Sequence, residues 1–398
     1  MENCLIWGTG KIGSSSILKD ILSQKYKIKG YCDSNISNRE IINDLKIIRI
    51  EDIDKYITNE NITVILIAVM NRDFIKTIRK TIREKIKDNI RILELYDSEL
   101  NDLENLYLTN VHKEMKFQWE IDFDNQSRLW VENLVSEIEY WLDTYSATKG
   151  RFIDSYIQNT KFDTYYPEHK EFANRLKNND IVLDIGGGIV SKLGCITEKG
   201  CQLQIRTVDP LAHWYNQFLP TGIPEDKKCQ FGLFEFIADF YNKESIDGII
   251  INNALDHCID PFKSILECLY ILKTNSYMCL LHRRAEAVYE KYTGLHRWNI
   301  DYNLKNHLII WNQNNAIDVT EALSEIAIIN LTHLEETLPR GQQMIKIEIR
   351  KKNSFELGEL IDMEAERYSL AHLLEHLMKY YAENDISKIY QKICMLRE

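Results

Sequence analysis

Paired cysteines are missing from this sequence. Its nine cysteines are scattered and no C-x-x-C occurs. Cys4, Cys32, Cys268 and Cys279 lie inside apolar runs, where cysteine behaves as a small hydrophobe, so the set reads as reduced thiols of a cytoplasmic protein. No apolar run approaches the ~20 residues of a membrane span, and no signal-peptide pattern precedes the first apolar stretch. Basic excess is missing as well: the formal net charge is -11, which argues against a general nucleic-acid binder. Lys76, Arg79, Lys80 and Arg83 form a local basic run, but their helical spacing describes a solvated face. There is no internal repeat and no low-complexity segment.

What remains is an ordinary globular chain of 398 residues, 44% hydrophobic and 27% charged, long enough for two or three domains. Residues 1–105 alternate strand and helix: strands near 4–7, 28–32, 64–69 and 90–95, helices near 12–22 and 74–86. On the second helix Phe74, Ile75, Ile78 and Ile82 share one face. This rhythm predicts a parallel sheet covered by helices. Residues 106–178 are helical, with Trp130, Leu134, Ile138, Trp141 and Tyr145 at spacings of three or four and Lys149-Gly150 as the stop. A second α/β rhythm fills 179–352, with strands expected at 181–185, 203–208, 248–251, 277–281, 327–330 and 344–349. A turn at Pro339-Arg340-Gly341 joins the last two. Residues 353–398 read as helix, with Leu370, Leu373, Leu374, Leu377 and Tyr381 forming a stripe. The expected fold class is α/β, with two Rossmann-like parallel-sheet domains.

In the second unit the apolar run Ile181-Val182-Leu183 leads into Asp184-Ile185-Gly186-Gly187-Gly188. Glycines at the carboxyl end of a first parallel strand let a ligand approach the backbone. A short helix is expected to follow from about Ser191. Asp209 closes the next strand, where an acid can accept hydrogen bonds from ribose hydroxyls.

These segments resemble class I S-adenosylmethionine-dependent methyltransferases. Asp184 to Gly188 looks like their first motif, Thr207-Val208-Asp209-Pro210 like the acidic end of the second strand, and Ile246 to His257 like the fourth strand and its active-site edge. Within that superfamily the chain is similar to a bacterial branch with Asn-Ala-Leu-Asp-His, Asp-Pro and Gly-Leu-His-x-Trp-Asn. Here these are Asn253 to His257, Asp260-Pro261 and Gly294 to Asn299. The resemblance covers about residues 130–350. It implies a seven-stranded sheet, with Asp184, Gly186 and Gly188 holding the methionine portion of S-adenosylmethionine, Asp209 its ribose and Asn253 the sulfonium side. Gly187 departs from relatives that carry Cys or Ala there, a harmless change in size.

Methyl transfer to a hydroxyl needs alignment and a base. The polar residues after the fourth and fifth strands are the candidates: His257 and His296 first, then His282 and Glu286. Each has a bland alternative, such as capping a loop or packing beside Trp298. Asp256, Asp260 and Glu286 could instead hold a divalent cation, though their spacing gives no preformed cage, and no metal is expected. Tyr289, Tyr292 and Trp298 either line the pocket of the cationic sulfur or belong to the core.

The first unit carries its own motif. Gly8, Gly10 and Gly13 form G-x-G-x-x-G between a strand and a helix, and Asp33 ends the second strand. This is the dinucleotide fingerprint, phosphate at the helix N-terminus and ribose at the acid. No Tyr-x-x-x-Lys pair, the base an epimerase would need, lies within residues 1–105. The unit looks like the short Rossmann domains preceding methyltransferase or acyltransferase modules in bacterial surface-polysaccharide pathways. Binding of a nucleotide, NAD or a nucleotide-sugar is expected here, against the alternative of an empty scaffold. The leading functional expectation is methylation of a small molecule, with a sugar or its nucleotide-linked form as the expected acceptor class, by a chain that could assemble as a homo-oligomer. An NAD-dependent oxidoreductase or a non-catalytic binding protein are the competing expectations.

Overall fold

The computed structural model describes the chain apart from residues 11–12, 34–39, 70, 87–89, 96, 163–166, 338–342, 384–390, 393–394 and 396–398. Part of the first glycine turn, at 11–12, and the turn expected at Pro339-Arg340-Gly341 therefore lie outside the described residues. Two compact units are present, Met1–Met115 with Leu334–Met344, and Lys116–His333 with Ile345–Glu398.

The first unit runs β1 (Glu2–Trp7), α1 (Ser16–Leu22), β2 (Tyr26–Cys32), β3 (Ile41–Ile42), β4 (Leu45–Ile48), α2 (Ile53–Glu60), β5 (Ile62–Ile67), α3 (Arg72–Lys85), β6 (Arg91–Glu94) and α4 (Ser98–Glu114). Its six strands are ordered β3-β4-β2-β1-β5-β6. All pairings are parallel except β3 on β4. Val64 to Ile67 are fully buried, as a central strand covered on both faces requires. The β3–β4 hairpin was not expected from the sequence. It turns on Asn43 and Asp44, both at positive φ (48° and 64°), the geometry of a two-residue hairpin loop. On α3 the face differs from expectation: Ile75, Ile78 and Ile82 are buried but Phe74 is exposed. Position 74 lies at the edge of the apolar arc, where the helix turns toward water. α4 carries this unit to Met115, past the boundary expected at residue 105.

The second unit begins with α5 (Phe123–Thr148), α6 (Arg151–Gln158) and α7 (Lys170–Ala173), followed by β7 (Ile181–Ile185), β8 (Gln204–Val208), α8 (Ala212–Phe218), β9 (Ile246–Asn252), α9 (Pro261–Ile271) and β10 (Leu272–Arg283). It continues through α10 (Glu286–Tyr289), β11 (Asn299–Tyr302), β12 (Leu308–Trp311), β13 (Ala316–Asp318), α11 (Val319–Ala322), β14 (Ala327–Thr337), β15 (Gln343–Lys351) and α12 (Met363–Glu383). The main sheet is ordered β14-β15-β10-β9-β7-β8, parallel from β10 to β8. A small antiparallel sheet, β11-β12-β13, accompanies it. Alternation along the central strands supplies both faces. Leu183, Ile249 and Ile251 join one core, while Val182, Ile250 and Cys279 join another with Phe162 and Phe172.

Two features depart from the expected seven-stranded sheet. Among the described residues six strands pair, and outside β8 there is a single parallel bridge, Val208 to Gln230. Pro220, Gly222 and Pro224 interrupt the segment that would supply a longer strand. Among the described residues no helix forms between β7 and β8. Ser191, where a helix was expected to start, instead turns its hydroxyl onto Asp184 at 2.6 Å.

α12 corrects the C-terminal stripe. Leu373 and Leu377 are buried against the α5 side chains Trp130, Leu134 and Ile138, whereas Leu374 and Tyr381 are exposed. Replacing Leu373 by Ala should destabilise the unit by ~2–5 kcal/mol, and the same change at Leu374 by under ~0.5. Chemical denaturation of both variants checks this; equal losses would refute the assigned face.

Candidate active site

The parallel strands of the second unit end at one edge, where backbone groups are no longer paired and a ligand can be met. β7 reaches that edge through Asp184 and the glycine run. Gly186 (φ +69°) and Gly188 (φ +74°) adopt the left-handed region, and a Cβ on Gly186 would stand 2.4 Å from the Cβ of Ala254. The loop after β9 therefore lies directly on the glycine turn, an approach that only glycine allows. The Asp184 carboxyl is buried. One oxygen accepts the Ser191 hydroxyl bond, while Oδ1 has no partner. Burial raises this group to about 6 against the Ser191 bond. Asp209, at the tip of β8, is also buried; burial raises it to about 7, opposed by amide hydrogen bonds from Leu211 and Gly188. Its Oδ1 accepts the Leu211 N–H at 2.9 Å. The buried, unpartnered Asp184 oxygen beside the close-packed glycine turn calls for a donor such as an ammonium.

Asn253 sits at positive φ (50°) at the end of β9. Its amide donates to the Leu281 carbonyl (2.8 Å) and its side-chain oxygen accepts the Arg283 N–H (3.0 Å). Asn253 thus ties the ends of β9 and β10 together, beside the glycine turn.

The next residues build the densest polar cluster of this edge. Asp256 is fully buried. His296 Nδ1 lies 2.7 Å from its Oδ2 and His282 Nε2 3.1 Å from its Oδ1. His257 Nε2 is 3.6 Å from Oδ2 and 3.2 Å from His296 Nδ1. Two indoles hold the backbone that carries these side chains: Trp130 donates to the His257 carbonyl (2.8 Å) and Trp298 to the Cys258 carbonyl (3.0 Å). The Arg297 amide donates to the Asp256 carbonyl. Trp298 itself is core, stacked on Trp119 with ring centroids 4.8 Å apart, so it does not line a pocket.

Protonation follows from the contacts. The two nitrogens of His282 face oxygens, the Arg283 carbonyl at 2.9 Å and Asp256 at 3.1 Å, so both act as donors and the ring is an imidazolium. Burial works against that charge, but the Asp256 hydrogen bond and charge outweigh it and raise the pKa. In His296 burial likewise lowers the pKa, and Asp256 with Glu286 and Glu290 overcomes it, raising the group to about 9. Burial pushes Asp256 up, yet the surrounding histidines hold it well below the usual carboxylate range. Glu286 pairs with Arg283 at 2.9 Å through one oxygen; its other oxygen is buried without a partner.

The four expected catalytic residues are thus neighbours. His257, His282 and His296 surround one carboxylate, and a Glu286 oxygen lies within 4.8 Å of ligating atoms of Asp256 and His282. In that grouping His282 faces the Asp256 oxygen with Nε2 and the Arg283 carbonyl with Nδ1. Asp260, once a candidate for a cation cage, caps α9 by accepting the Phe262 and Lys263 amides at 3.1 and 3.0 Å. The hub that sequence analysis undervalued is Asp256. Its signal was the adjacency of Asp256 and His257 directly after an apolar strand.

In the first unit the glycines fill distinct places. A Cβ on Gly13 would stand 1.9 Å from the Gly8 carbonyl oxygen, so Gly13 permits the close turn, while a Cβ on Gly10 would meet nothing within 4 Å. Asp33 is drawn into the same turn, accepting from the Thr9 amide (2.7 Å) and hydroxyl (2.6 Å).

No protein-family model matches the chain, and no curated protein matches it. Solved structures do. A methyltransferase in complex with the Haloferax volcanii Trm112 methyltransferase activator is 11% identical, over 53% of this chain and 98% of that chain, with a TM-score of 0.35. An S-adenosylmethionine-dependent methyltransferase from Methanosarcina mazei is 15% identical, over 48% and 99%, with a TM-score of 0.30. A geranyl diphosphate methyltransferase in complex with GPP and sinefungin is 9% identical, over 47% and 76%, with a TM-score of 0.35. Likeness this loose carries no weight for chemistry, which rests on the residues above.

The Asp256 cluster makes a spectroscopic prediction. In a histidine-ring NMR titration one resonance, assigned by its loss in His296→Gln, should titrate at about 9. In Asp256→Asn it should move down, because burial then acts without the opposing charge. An unshifted resonance would dissociate His296 from Asp256.

Proposed function

We propose that the second unit transfers a methyl group from S-adenosylmethionine to a hydroxyl of a small-molecule acceptor. The observation that carries this proposal is the adjacency of two features at one sheet edge. A glycine cradle with an unpartnered buried Asp184 oxygen abuts, through Ala254, the loop that bears the Asp256–His296 pair. S-adenosylmethionine supplies an electrophilic methyl group on a cationic sulfur. Asp184, Gly186 and Gly188 hold its amino-acid portion, Asp209 faces its ribose, and Asn253 fixes the loop on the sulfur side. His296 donates Nδ1–H to Asp256 and takes the acceptor's proton at Nε2, the arrangement in which a carboxylate sets tautomer and orientation of a basic imidazole. His257 orients the acceptor, and the His282 imidazolium with Glu286 and Arg283 keeps Asp256 placed. Alignment itself contributes several kcal/mol to such an in-line displacement.

The acceptor we favour is a sugar or nucleotide-linked sugar, and the first unit, taken by itself, binds a nucleotide or nucleotide-sugar. What supports this is the open backbone at Gly10 above a close-packed Gly8–Gly13 turn, with Asp33 at the second strand end. A hydride-transfer role lacks support in the first unit, which carries no Tyr-x-x-x-Lys pair; Tyr145 and Lys149, which have that spacing, end α5 in the second unit.

Calorimetry with S-adenosylmethionine tests the cofactor assignment. Asp209→Ala should weaken binding by ~1–3 kcal/mol. Gly10→Val should leave that affinity unchanged, since its side chain meets open space in the other unit. No binding, or an affinity indifferent to Asp209→Ala, would overturn the assignment.

Turnover tests the base. With an acceptor found by screening sugars and nucleotide-sugars for S-adenosylmethionine consumption, His296→Gln should lower turnover by ~10²–10⁴-fold with cofactor affinity kept. Only neutral His296 can take a proton, so wild-type activity should fall ~tenfold per pH unit below a limb at about 9. A pH profile flat from 7 to ~10 would remove His296 from this role.

A further inference from the structure

A second histidine group lies away from the sheet edge, where α12 meets the start of α5. His372 and His376 are one helical turn apart, so their rings leave α12 on the same side. Both reach the same atom. His372 Nδ1 is 2.8 Å and His376 Nε2 3.0 Å from Oδ1 of Asp124, and the three ligating atoms lie within 4.8 Å of one another. Tyr368, a turn earlier, packs on the His372 ring with centroids 4.1 Å apart, which fixes that ring's plane. All three groups remain partly open to water, with side chains 30%, 24% and 58% exposed for His372, His376 and Asp124.

Two partly exposed imidazoles converging on one exposed carboxylate oxygen contribute little as hydrogen bonds or ion pairs, since water competes for each. The same three atoms are differently placed for a cation. Ligands held ~2.0–2.2 Å from a metal at octahedral to tetrahedral angles stand about 3.0–3.5 Å apart, and the two nitrogens already stand near that distance from the oxygen. Two imidazoles and one carboxylate suit zinc, cobalt or nickel. Magnesium and calcium prefer all-oxygen shells. The open side leaves further positions to water. We infer that Asp124, His372 and His376 form a site for a divalent transition metal that staples the C-terminal helix α12 to α5.

Such a staple acts on elements that matter. Leu373 and Leu377 of α12 share a core with Trp130, Leu134 and Ile138 of α5. A turn further along α5, Trp141 lies against the glycine loop: a Cβ on Gly188 would stand 3.1 Å from it. The metal therefore closes the outer end of the helical layer whose inner end touches the glycine cradle. The site is independent of methyl transfer and would stand if that proposal fell.

The test uses the full chain, stripped with chelator and dialysed. Cobalt(II) should bind with one-to-one stoichiometry and a visible absorption band, and saturating zinc should raise Tm by a few degrees, reversibly on adding chelator. His376→Gln and His372→Gln should each abolish the band and the Tm shift, and Asp124→Asn should weaken binding at least ~tenfold. All three positions are partly exposed, so circular dichroism of the metal-free variants should match the wild type. His296→Gln should retain the band, which separates this site from the Asp256 cluster. Absence of stoichiometric binding overturns the proposal. So does binding that survives His376→Gln, or that is lost in His296→Gln.

Discussion

The Asp256 carboxylate has no water to fall back on. A buried anion costs several kcal/mol unless it is paired and hydrogen-bonded on its free lone pairs, and three histidines meet that requirement from three stretches of chain: His257 beside it, His282 at the end of β10, and His296 after α10. The need to keep one charge paired explains why the segments 253–257 and 294–299 belong together although about 40 residues separate them. It also explains the indole donors at Trp130 and Trp298, which hold the successive carbonyls of His257 and Cys258. A loop that must keep four titratable side chains in register cannot be left to hinge.

The glycine turn obeys a different constraint, which is space. Gly186 is held against Ala254, and a Cβ on Gly187 would stand 2.7 Å from Thr207 and 2.8 Å from Asp184. The glycine run thus fits into the end of the sheet, without a helix following it. The amide donors that such a helix would offer are replaced by a single hydroxyl, that of Ser191, on Asp184. One oxygen of that acid is left unmatched, and this mismatch is where a ligand's donor group can be gained without breaking a protein bond.

Much of this was legible in the chain. Apolar runs bounded by glycine and acid located β1, β5, β7 and β9, because a strand buried on both faces must be continuously apolar. Helical spacing located α3, α5 and α12, and glycine-acid pairs marked both turns. Legibility failed where a helix side borders water: Phe74 and Leu374 fit the apolar period and yet are exposed. The family resemblance implied a seventh strand that the residue pattern did not locate, and outside β8 the prolines and glycine at 220–224 leave the bridge at Gln230.

By itself the sequence determined the α/β class, the two glycine turns and the residue types at the sheet edge, since these follow from periodicity and from the backbone freedom of particular positions. Tertiary structure alone decided which of those residues touch. Asp124 with His372 and His376, and Asp256 with His282 and His296, are distant in the chain, and their contacts exist because helices and strands pack at fixed spacings that no local pattern encodes. Charge state was decided there too. A histidine rises to about 9 only when a buried carboxylate is brought beside it and burial is outweighed.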